Sequence, residues 1–268
     1  MNTSELQPPI DNPDDTSELA HVPSAQLLTA AWEKRAGYAR ALIGIYGATS
    51  LAVGAVFGPY AIALAVAILG AILISGWPNL LYLPNRTIPR TMLTLLAIAL
   101  LVTALFGTVE HTAIVMAGSV IAAFIAEMFR TDGRKQLIEQ LSGGFAGAVV
   151  LVAGSLWIHT MRHAQGKDVV IVAAVSLAIV ALMHAFDSWA ARVAGFINGI
   201  AFALGFGYLT ELSFEPSLLI GVSTAGAYLL TARAVADLPR PSPAINGASR
   251  AMIPLLIVGL FSYLAIHL

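Results

Sequence analysis

The densest set of side chains able to do chemistry is Glu127-Met128-Phe129-Arg130-Thr131-Asp132-Gly133-Arg134-Lys135, continuing to Glu139. Carboxylates among cations at this spacing permit two arrangements. Glu127 and Arg130, three apart, can pair along one helix face and clamp a helix end. Alternatively, Arg130, Arg134 and Lys135 receive the phosphate of an anionic head group while Glu127 and Asp132 give oxygen ligands to a divalent cation. That cation is the one cofactor the arrangement suggests; no other is evident. A second set, His184, Asp187 and Arg192, offers a hydrogen bond between His184 and Asp187 across one turn, or simple capping and snorkelling at a membrane interface. If both sets face one cleft, they form a polar mouth.

Four of the six histidines fall with acidic residues elsewhere. His159 and His163 share a helix face, and Glu110, His111, Glu211, Glu215 and His267 belong to the same side of the membrane. Paired histidines at this spacing can hold a transition metal, but no HExxH glutamate accompanies them. Ordinary interfacial histidines are therefore expected, with no metal. The absence of cysteine excludes disulfides and thiolate metal sites. There is no P-loop and no Gly-x-Ser-x-Gly elbow.

Composition decides what carries these residues. With 58% hydrophobic and 11% charged residues and a mean hydropathy of +0.81, the chain is too apolar for a soluble domain, where roughly a quarter of residues are charged. A polytopic, all-α transmembrane bundle in contact with lipid is the implied fold. The net charge of −1 is uninformative because the charges are segregated by side of the membrane, and no nucleic-acid partner is expected. Arg outnumbering Lys, with abundant Ala, suggests a high-GC bacterial source and hence the plasma (inner) membrane.

Residues 1–23 carry Glu5, Asp11, Asp14, Asp15 and Glu18 among four prolines and are expected to form a disordered cytoplasmic tail. They lack the basic region and cleavage site of a secretory signal. A surface helix started by Ser24 is expected over 24–40. The bundle fills 41–268, with about nine spans, near 41–57, 61–81, 91–107, 112–129, 141–158, 169–186, 192–210, 216–232 and 251–268. Gly58-Pro59 separates the first two as a tight reversal. None of these spans has an ionisable residue near its middle, which excludes a carboxylate proton relay. The central polar residues are Ser119, Asn198, Ser223 and Thr224, and Asn198 is expected to bond to a neighbouring helix.

Threading nine spans from a cytoplasmic N-terminus puts twelve of the fourteen basic residues inside, leaving Arg162 and Lys167 outside. The positive-inside rule therefore gives N-in and C-out. Gly143 and Gly147 in the fifth span, and Gly195 and Gly199 in the seventh, have the four-residue spacing that lets helices approach closely in lipid. They serve packing within the bundle or, alternatively, a homodimer face. The parallel course of these two helices, with Leu83-Pro84 echoed by Leu238-Pro239, hints at a weak internal duplication.

The run Glu127, Arg130, Asp132, Gly133, Arg134 after an apolar helix, with Leu83-Pro84 closing an earlier one, resembles a family of actinobacterial multi-pass membrane proteins of unassigned activity. That resemblance covers about 75–250 and implies a helical membrane fold without specifying chemistry. Intramembrane prenyltransferases and phospholipid cytidylyltransferases share the span count, but the aspartate-rich motifs of the first and the charged C-terminal signature of the second are missing. The leading expectation is a small permease, flippase or membrane accessory protein handling an apolar or amphiphilic molecule. The alternatives are an interface enzyme acting on a lipid phosphate, or a scaffold subunit.

Overall fold

A computed structural model of the chain describes residues 22–129, 136–186, 188–234 and 244–267, with side chains from 37 and, in the last segment, from 247. Among the described residues there are nine helices and no strand: α1 (Val22–Phe57), α2 (Pro59–Leu80), α3 (Thr87–Phe106), α4 (Val109–Met128), α5 (Leu137–Met161), α6 (Gly166–Met183), α7 (Trp189–Leu209), α8 (Phe214–Ala234) and α9 (Ala244–Ala265). The surface helix expected over 24–40 is not a separate element, because α1 runs unbroken through it into the first span. The one glycine at the junction, Gly37, costs only about 1 kcal/mol in a helix interior and stops nothing by itself.

The reversal at Gly58-Pro59 is present. Gly58 takes φ 105°, a conformation that disfavours any side chain, and Pro59 supplies the first residue of α2. The two helices meet so closely that a Cβ on Gly54 would stand 2.9 Å from the Ile62 Cα.

Eight of these helices are long and apolar enough to cross a membrane. The ninth, α8, is as long as α7, but Glu215, Arg233 and several hydroxyls lower its apolarity. Those hydroxyls largely bond within their own helix: Ser217 to the Ser213 carbonyl at 2.9 Å, Ser223 to Ile220 at 3.2 Å and Thr231 to Ala227 at 2.6 Å. One face of α8, from Pro216 to Tyr228, is buried, and the helix packs against α6, α7 and α9.

The core lies between α2, α5, α6 and α9, joined by Leu51 of α1, Leu100 of α3 and Ile220 of α8. Trp157 of α5 is fully buried and donates its indole N–H to the Leu255 carbonyl of α9 at 3.0 Å. Within the apolar stretches of α5 and α9, 61% of residues are buried, against 6% in α4. Helix α4 therefore sits at the periphery, packed on α3 and α5.

Candidate functional site

The start of α3, the end of α4 and the start of α5 share one end of the bundle, where Ile88, Glu127 and Leu137 line one groove. The groove, of about 590 Å³, has walls that include Met92, Leu96, Ala123, Phe124, Leu141 and Phe145. Its size falls within the roughly 300–1,000 Å³ of small-molecule sites, and the gap between bundled helices is a common place for one. Glu127, in the last turn of α4, lines the groove and is 5% exposed.

The other polar side chains of the groove are committed to the scaffold. Ser119 donates to the Met116 carbonyl at 2.7 Å and Ser142 to the Glu139 carbonyl at 3.2 Å. Gln140 donates to the Asn85 carbonyl at 2.8 Å and accepts from the Asn85 N–H at 3.3 Å, joining α5 to the connection between α2 and α3. Glu127 has an interaction partner of its own and, among the described residues, is the one ionisable side chain in the lining. A carboxylate at the end of an otherwise apolar groove is costly to hold there unless it is paired.

Arg130, Asp132, Arg134, Lys135 and Asp187 lie outside the described residues. His184 ends α6, its ring 5.3 Å from that of Tyr228 on α8 and nearly perpendicular to it. It lines neither groove described here. Helix α4 packs on α3 and α5, whereas α6 packs chiefly on α1, α7 and α8, so Glu127 and His184 belong to different parts of the bundle. Among the described residues, no group of three His, Asp or Glu side chains could hold a metal ion.

At the opposite end lie His159 and His163. His159 Nε2 lies 2.9 Å from Thr112 Oγ1, both residues buried, tying α5 to α4. Both histidines meet the ring of Tyr263, at 6.3 and 6.0 Å between centroids, and His163 also joins His267 at 5.3 Å. Glu110 and His111 engage Thr108 at the start of α4, with Thr108 N–H donating to His111 Nδ1 at 3.2 Å. Arg162, an exception to the charge bias, donates to the carbonyls of Ala104 and Gly107 at 3.0 and 2.5 Å. It thereby caps the C-terminal end of α3, where a cation is favoured. Nothing in a hydropathy pattern could have revealed that long-range bond.

The four spaced glycines face side chains of their own chain. A Cβ on Gly143 would meet Leu83 at 2.7 Å, one on Gly147 Trp77 Nε1 at 2.7 Å, one on Gly195 Met183 at 3.1 Å, and one on Gly199 Val180 at 2.6 Å. All four are buried within the single chain. Asn198 differs from expectation: its amide donates to the Ala194 carbonyl of its own helix at 2.7 Å. The bond between α6 and α7 is made by Ser176, which donates to the Gly199 carbonyl at 2.9 Å. Gly199 has no side chain in the way, so the shorter Ser176 reaches the backbone that Asn198 was expected to bridge from.

Helices of this length and apolarity are those of a multi-pass integral membrane protein. No family model, curated protein or solved structure matches the chain.

Proposed function

We propose that the chain is a small permease, flippase or membrane accessory protein of a bacterial plasma membrane, oriented N-in and C-out, which takes the apolar part of an amphiphile into the groove between α3, α4 and α5. The observation that carries this reading is the groove itself: apolar walls, a volume suited to a small molecule, and one carboxylate at one end. The positive-inside bias puts that end at the cytoplasmic face. Glu127 then meets a head group that is cationic or donates hydrogen bonds, while the walls hold the tail. Because α4 packs on α3 and α5 and is the least buried of the apolar helices, the groove can widen without unpacking the core.

The test is binding of a fluorescent alkyl-amine probe to the purified full-length chain, with Ala123→Trp as the blocking variant. Wild type should bind saturably and Ala123→Trp should lose most of that binding while its thermal transition stays near wild type. Equal binding by both would remove the reading.

A further inference from the structure

Helix α3 has a second side, and it carries a groove of its own. About 370 Å³ lies between α2 and α3 against α5 and α9, with Val66, Gly70 and Ile74 on one wall and Ala97 and Leu101 on another. Three hydroxyls border it, and each donates to a carbonyl of its own helix: Ser75 to Ile72, Thr94 to Arg90 and Ser155 to Val152, all at 2.7 Å. Arg90, the one charged residue of the lining, is different. One terminal nitrogen donates to the Ser75 carbonyl at 2.7 Å, which holds the guanidinium at the end of the groove. Its Nε–H is buried and has no hydrogen-bond partner among the described residues.

Buried N–H groups in folded proteins nearly always have an acceptor, and those on a cation are the most costly to leave without one. Nε is enclosed by protein atoms, so the cation is left one hydrogen bond short, and its other guanidinium N–H groups are the ones open to a ligand in the apolar groove. Arg90 stands one turn into α3, at the same end as the exposed Tyr82 and Arg86, an aromatic and basic pairing typical of the level where lipid head groups lie. A basic pocket between membrane helices suits an anionic head, and a guanidinium fork suits the oxygens of a phosphate.

We propose that Arg90 binds the phosphate of an anionic phospholipid from the surrounding bilayer, whose acyl chain lies in the groove between α2 and α3. The site is separate from the Glu127 groove and does not depend on the function assigned there. It requires only that the chain sit in a bilayer. The Ser75 carbonyl fixes the guanidinium at the groove end in advance, and Arg is preferred to Lys because a point charge lacks the fork.

The full-length chain in neutral detergent is titrated with phosphatidylglycerol, with phosphatidylcholine and with inorganic phosphate, and retained lipid is read by native mass spectrometry. Wild type should retain phosphatidylglycerol in preference to phosphatidylcholine and should not bind inorganic phosphate. Arg90→Gln should weaken retention about tenfold or more, and Arg90→Lys by less. Ala71→Trp, which fills the groove from an exposed position, should weaken retention with Arg90 intact, so the test survives even if an Arg90 variant folds poorly. Ala123→Trp, which reports on the other groove, should have no effect. Unchanged retention in both Arg90→Gln and Ala71→Trp, or displacement of the lipid by inorganic phosphate, would overturn the proposal.

Discussion

Trp77 Nε1 donates to the Gly143 carbonyl at 2.8 Å, so the end of α2 is fastened to the start of α5 by an indole lying across a glycine face. One turn further along α5, a Cβ on Gly147 would stand 2.7 Å from that Nε1 and 2.9 Å from Leu93 Cδ1. Gly147→Ala therefore displaces a buried indole and should cost about 1–3 kcal/mol of stability. Gly144, with nothing within 4 Å of a Cβ, is the control. Gly144→Ala should be neutral or gain up to about 1 kcal/mol from helix propensity. Thermal unfolding in detergent reads both, and equal shifts would show that the indole contact does not matter.

The pair His159 and Thr112 should behave as a unit. Thr112→Val leaves the buried His159 Nε2 without that partner, and His159→Phe leaves Thr112 Oγ1 only its 3.4 Å bond to Thr103 Oγ1; each should cost about 1–3 kcal/mol. The double variant should cost less than the two added together, by a coupling of about 0.5–1.5 kcal/mol. Strict additivity would mean the 2.9 Å approach contributes nothing.

Orientation gives a third expectation. Reporter fusions within 86–90, 130–140 and 233–250 should all signal cytoplasm, and an external signal at residue 135 would contradict N-in, C-out. Arg162→Ala should leave orientation unchanged, since it removes a positive charge from the outside, and should lower stability by about 0.3–1 kcal/mol through loss of the α3 cap.

The helices themselves were legible because an apolar run long enough to cross a bilayer can hardly be anything else. Their starts were read about a turn too late, since hydropathy omits polar first turns such as Thr87–Arg90 or Glu139–Gln140 that the backbone nonetheless folds as helix. Facing was not legible. Lipid is as apolar as a protein core, so exposed Phe57, Tyr60 and Phe106 look the same in sequence as buried Leu51, Leu69 and Leu100. For the same reason the type and depth of Glu127 could single it out in the sequence, but not the groove it lines. Arg90 was read only as an orientation charge, because its burial and its bond to Ser75 depend on how α3 is turned.

Glu127→Gln keeps the shape of the side chain but exchanges one acceptor oxygen for an NH2 donor at a groove end near the interface. With the side chain 5% exposed, it should cost about 1–3 kcal/mol in folding and weaken binding of an alkyl-amine probe about tenfold. Arg134→Ala should leave that binding near wild type if the head group is cationic. If a phosphate is held instead, Arg134→Ala should weaken binding as much as Glu127→Gln does.

Photolabelling in native membranes with a diazirine-bearing alkyl amine, mapped by mass spectrometry, addresses the groove most directly. Adducts should concentrate on Met92, Leu96, Ala123 and Phe145 and should disappear in Ala123→Trp. Adducts spread evenly over outward-facing residues such as Tyr60 and Tyr208, and unchanged by Ala123→Trp, would contradict a binding groove between α3, α4 and α5.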